Sequence, residues 1–163
     1  MAAKAVHLAH RTHWVDFDDE DIPWLAGQEF FRLWRDRCGD RDFPMRADFT
    51  PMELKRWLPH VVLLDYLPEK QDCSVRLVGT AIAELFPRDP TGMLIRDLHN
   101  GDQTMLGLQA VVDWRLPIMA KELTIEWADR SHRVFDSVNL PLSRNGDAID
   151  MLLILINLRP PQL

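Results

Sequence analysis

The segment AIDMLLILINL, residues 148–158, carries apolar side chains at odd and even positions alike. Successive side chains of a strand point to opposite faces, so a strand apolar on both belongs inside a sheet that is covered on both sides. HVVLLDYL, residues 60–67, repeats the pattern. Two such strands need neighbours along their edges and cover on each face, and the remaining segments must supply both.

Edge strands are predicted at CSVRLVGT (73–80) and KELTIEW (121–127). The second alternates cleanly, with Leu123, Ile125 and Trp127 on one side and Glu122, Thr124 and Glu126 on the other. HRVFDSVNLPL (132–142) places Val134, Val138, Leu140 and Leu142 on one face together with His132 and Asp136, and Asn145-Gly146 marks the turn into the last strand. With the two fully apolar strands central and the alternating ones outermost, the five strands take the order 2-1-5-4-3 in one antiparallel sheet, an α+β fold.

Helices supply the cover. From Gln28 to Cys38 the residues Phe30, Phe31, Leu33, Trp34 and Cys38 form one stripe opposite Arg32, Arg35, Asp36 and Arg37, and Gly39 is a stop signal. Thr50, Pro51 and Glu53 form a capping-box start for a second helix that runs to about Leu58, before Pro59. A short helix over Ala81–Phe86 ends at Pro87 and the Pro90-Thr91-Gly92 corner, and a longer one is expected over Asp102–Trp114, with Asp102 as cap and Met105, Leu108 and Val112 on one face. The central helices are assigned to one sheet face and the 28–38 helix to the other. Residues 1–26 mix an acidic cluster (Asp16, Asp18, Asp19, Glu20, Asp21) with His, Arg and Trp and show no period, so they are expected to be a flexible lead-in with solvated charges. The divisions that follow are helices over 27–59, the core over 60–158 and a tail over 159–163.

The 163 residues suit a single domain. A net charge of −6 argues against a nucleic-acid partner, which needs clustered Lys and Arg. Cys38 and Cys73 have neither zinc-ligand nor disulfide spacing, as expected in a reducing, cytoplasmic setting. The longest apolar stretch, Met151–Ile156, is too short to span a bilayer, so no membrane partner is expected.

The stretch RLVGTAIAELFPRDPTG, preceded by MRADFTPMELKRWLPHVVLLDY, resembles the single-domain bacterial PAS family known as PAS domain type 5. The resemblance runs from about Phe30 to Leu158 and rests on Arg76 to Thr80, on Phe86 closing a short helix, and on the Asp89-Thr91-Gly92 corner. Pro87 and Pro90 depart from the family's usual residues there. What the resemblance implies is a PAS-like sheet with a cavity beneath the central helices, a sensory role, and dimerisation through the N-terminal helix and the sheet. With nothing following Leu163, the signal would pass to a separate signalling protein.

For that cavity the candidate ligand-binding residues are Asp136, Val138, Leu123, Ile125, Met105, His99 and Arg76. Asp136 interrupts an apolar strand face, and a buried carboxylate needs a partner: one inside the domain, such as Arg76, or a polar ligand. His99 reads as a loop histidine or as a haem ligand of the kind some PAS domains use. No second feature supports haem, and the cysteines lack the Asn-Cys-Arg-Phe context of flavin photosensors, so each reads as a small core residue. The cofactor is left unassigned and no metal is expected. Phe30, Phe31 and Trp34 are either a homodimer interface or the cover of the sheet. No catalytic motif is present, and the one acid–base pair to consider is Asp136 with His132. Three functions follow: a non-catalytic sensory domain binding a small molecule or partner, a ligand-free interaction adaptor, and a small-molecule enzyme of cone-like fold.

Overall fold

The structure, a computed structural model, describes residues 2–8, 10–128 and 130–161, without the side chains of 130–132. Its elements in chain order are β1 (Lys4–Leu8), β2 (Arg11–Val15), α1 (Leu25–Cys38), α2 (Pro51–Leu54), β3 (Val61–Leu67), β4 (Asp72–Val78), α3 (Thr80–Ala83), α4 (Gly101–Trp114), β5 (Ile118–Ile125), β6 (Arg130–Leu142) and β7 (Met151–Leu158). All strands join one antiparallel sheet in the order β1-β2-β5-β6-β7-β3-β4.

The sheet therefore has seven strands rather than five. The two extra ones come from residues 4–15, expected to be a flexible lead-in, which form a hairpin and dock on β5 through His13 opposite Ala120 and Trp14 opposite Met119. The strand expected at an edge around 121–127 is thereby interior. Its buried start, Ile118 to Ala120, lies before the alternating stretch and is what β2 covers. The acidic cluster is not simply solvated either: Asp18 and Asp19 pair with Arg35, and Asp19 also with Arg32, tying the lead-in to α1.

Local signals account for the helix ends. Thr50 and Glu53 make the capping box, with the Thr50 amide donating to Glu53 Oε2 at 2.8 Å, but α2 closes at Leu54 and a separate 3₁₀ turn, Leu58–His60, leads into β3. Asp102 does not cap α4: Asn100 holds that position in the left-handed region, and Asp102 instead accepts from Arg96 Nη1 at 2.8 Å. At the entry to α3 the chain passes so close to the preceding turn that a Cβ on Gly79 would collide with the carbonyl oxygens of Leu58 and Pro59. The corner beyond is closed by Asp89, which accepts from the Thr91 amide and hydroxyl, and Gly92 takes φ +85°.

The two faces of the sheet are packed differently. Leu63, Leu142 and Leu153 face Phe49, Leu54 and Leu58 from the segment between α1 and β3. Trp34 of α1 donates its indole N–H to the Pro141 carbonyl at 3.0 Å, and Phe31 lies between Phe17 and Trp34 with centroids 5.1 and 5.8 Å away. Phe30, Phe31 and Trp34 are all buried within the chain. The opposite face meets α3 and α4 across a cavity.

Candidate ligand cavity

The cavity has a volume of about 110 Å³ and is partly open to the surface. Its floor is the face of the sheet carrying Val62, Leu64, Ile154 and Ile156, and its roof is built from Ile82 of α3 and Leu108 of α4. Phe86, Trp127 and Phe135 form an aromatic end wall, with Phe86 stacked on Trp127 at 5.0 Å and Phe135 edge-on to it at 5.9 Å. These walls are apolar apart from the Trp127 indole N–H, with Gln103 and Thr104 of α4 adding polar side chains to the roof, a setting that favours largely apolar guests.

Polar groups line the side of the cavity where the N-terminal hairpin joins the sheet. Arg11 and His13 of β2 line it together with Ser137 and Asn139 of β6. Arg11 is ion-paired with Glu126. Asn139 Nδ2 donates to the Ile118 carbonyl at 3.0 Å and to Ser137 Oγ at 3.2 Å. His13 is only 6% exposed, and its Nδ1 has no partner in hydrogen-bonding geometry. Burial chiefly lowers its pKa, the nearby Arg11 carbonyl opposes this and the Arg11 guanidinium reinforces it, so the ring is neutral at pH 7.

Of the candidate residues read from the sequence, Leu123 lines this cavity. Asp136 and Val138 alternate with Phe135, Ser137 and Asn139, so they lie on the other face of the sheet. The apolar face of β6, expected to line the cavity, packs into the main core, and the mixed face lines the cavity instead. Ile125 and Met105 are fully buried but outside the lining, and His99 is exposed on the turn before α4. Arg76 is exposed and bound to Asp65 at 2.8 Å, not to Asp136. The His132 side chain lies outside the described residues.

Asp136 has its partners inside the domain. Only 1% exposed, it accepts from the Glu122 amide at 3.0 Å, Asn157 Nδ2 at 3.0 Å, and Arg159 Nε and Nη2 at 3.0 and 2.8 Å. Burial pushes its pKa up, but Arg159, the Glu122 amide and Asn157 outweigh this and hold the carboxyl below the usual range. Glu122 has φ +57° at an irregularity in the β5–β6 ladder, so the carboxylate pins a bulge that re-aims β5 ahead of Leu123. Four hydrogen bonds occupy the carboxylate's acceptor capacity and leave it engaged in structure.

The cysteines are buried thiols. Desolvation pushes Cys38 up to about 11 and Cys73 up to about 12, far from thiolate chemistry at neutral pH.

Sequence reasoning missed Arg11, His13, Ser137 and Asn139. The one signal for the first two is the five-residue alternation in RTHWV, with Arg11, His13 and Val15 on one side, too short to stand out from a segment read as having no period. Among the described residues no helix is long and apolar enough to cross a membrane.

Comparison with curated proteins and with solved structures found no match. The family model of the PAS domain, type 5, matches residues 24–156, from the start of α1 almost to the end of β7, and leaves the β1–β2 hairpin outside. PAS domains are generally sensory or regulatory and non-catalytic, and this chain belongs to the PAS domain family.

Proposed function

We propose that this chain is a non-catalytic sensory domain that binds a small, largely apolar molecule between the sheet and α3–α4 and passes the change on by altered association. The single observation behind this reading is the cavity of about 110 Å³, which the surrounding side chains leave open although they come from six strands and two helices. A concave, mostly apolar cleft between a sheet and its covering helices, with a few polar groups in its lining, is the usual form of a small-molecule site. Asp136 takes no part, since its carboxylate is held by Arg159, Asn157 and Glu122. The buried, free thiols suit a reducing cytoplasm.

The output is proposed to be association with a separate signalling protein or a second copy. Phe30, Phe31 and Trp34 are turned inward, so a homodimer through α1 would use the helix's outer face with Arg32, Arg35 and Asp36. The test is a native mass spectrum of freshly purified protein beside its denatured mass. A stoichiometric extra mass that disappears on denaturation supports ligand binding and reports the ligand's class. A partner captured by a protein with no added mass, and unmoved by filling the cavity through Ile82→Trp, would replace this reading with a ligand-free adaptor.

A further inference from the structure

His13, Ala120 and Ser137 stand in one row across three adjacent strands, β2, β5 and β6, and Ile156 of β7 continues it. Neighbouring strands lie about 4.8 Å apart, so the His13 and Ser137 backbones are separated by roughly 10 Å with a methyl group between them. The small Ala120 leaves a notch in the cavity floor with a hydrogen-bonding side chain on either side. Gly107 of α4 lets the imidazole in from above, since a Cβ there would lie 3.1 Å from Nε2.

Both flanking groups have unspent capacity. His13 Nδ1 is buried without a partner, a rare and unfavourable state that a guest could relieve. Ser137 Oγ accepts from Asn139 Nδ2, which leaves its hydroxyl hydrogen to be donated elsewhere. No net charge waits for a counter-ion, because Arg11 is already paired with Glu126. Most of the remaining lining is apolar with an aromatic end wall, Gln103, Thr104, Asn139 and the Trp127 indole being the polar exceptions, and the volume is of the order that admits a single six-membered ring.

We propose that the His13–Ala120–Ser137 row is a polar subsite that receives the one uncharged hydroxyl or carbonyl group of a small ring-shaped apolar ligand, a molecule of the phenol class. This rests on the ligand-binding reading above and adds its chemistry. It also gives the N-terminal hairpin a role: β2 lies outside the span matched by the family yet contributes the donor or acceptor that distinguishes one apolar guest from another. A neutral imidazole suits this duty, donating from one nitrogen and accepting at the other without demanding a counter-charge. A carboxylate at the notch would have to be desolvated with no free cation to meet it.

The test is calorimetric titration of the full chain with phenol, benzene and benzoate, repeated on His13→Phe, which keeps a ring of similar bulk, and on Ser137→Ala. Phenol is expected to bind at least tenfold more tightly than benzene to the wild type. That advantage should shrink to about twofold or less in His13→Phe, while benzene is bound as before. If His13→Phe does not fold, judged by its melting curve, Ser137→Ala decides, with an expected loss of severalfold for phenol alone. Equal binding of phenol and benzene, or a phenol preference indifferent to both substitutions, overturns the subsite but leaves the cavity reading standing. Tightest binding by benzoate overturns the uncharged class. If none of the three binds while the native mass spectrum carries another ligand, the ring class falls alone, and if that spectrum also carries nothing, both readings fall.

Discussion

Replacing Arg159 with Leu strands the Asp136 carboxylate. The guanidinium supplies two of the four hydrogen bonds to this group and its only described cationic partner, and what remains is the Glu122 amide and Asn157. Breaking a fully buried ion pair from one side costs about 3–5 kcal/mol. Arg159 itself is about a third exposed, so water can partly replace it, and the two surviving hydrogen bonds lessen the loss further. The expected destabilisation at pH 7 is therefore about 2 kcal/mol, a fall of about 1 M in the urea midpoint for a slope near 2 kcal/mol/M. The pH dependence has a definite sign. Because the folded-state pKa of Asp136 lies below its unfolded value, the wild type holds this stabilisation above the unfolded carboxyl pKa and loses it as pH falls through the folded one. In the variant burial acts without Arg159, the carboxyl protonates more readily, and the gap between the two proteins should narrow below about pH 4. Asp136→Asn combined with Arg159→Leu should be more stable at pH 7 than Arg159→Leu alone, since no charge is left stranded. A gap below 0.5 kcal/mol at pH 7, on the scale of an exposed pair, or one that stays constant down to pH 3, would refute the reasoning.

Gly79→Ala should destabilise the fold by about 2–3 kcal/mol, read as a lower melting temperature, because the new methyl meets two backbone carbonyls that no rotamer change can move. Thr50→Ala removes the side-chain half of an exposed capping box, and chemical denaturation should show a loss of about 1 kcal/mol. Cys38 and Cys73 should resist iodoacetamide at pH 8 in the native protein and react fully in urea, as followed by intact mass, because burial withholds both thiolates. Rapid labelling of either in the native state would mean that the core around it opens far more readily than its packing implies.

The elements that could be read along the chain are those whose reasons are local. The start of α2 follows from Thr50 and Glu53 three residues apart, the corner after α3 from Asp89 and Gly92, and the interior placement of β3 and β7 from apolar side chains on both faces. The N-terminal hairpin was opaque because its reason lies over a hundred residues away: β2 is a strand because β5 offers it an edge. Asp18 and Asp19 are likewise ordered by arginines of α1, partners that no local pattern reveals.

The sequence by itself determined the class of fold, the sites of several turns and the family, because capping, turn chemistry and two-sided hydrophobicity act over a few residues. Only the tertiary structure decided where the cavity lies and what lines it. Both faces of a central strand are buried, so alternation in β6 separates two environments without saying which is the core and which the pocket. Packing settles that: Val138 and Leu140 pack into the core on one side, while Ser137 and Asn139 share the other with His13 from a strand the pattern did not reveal.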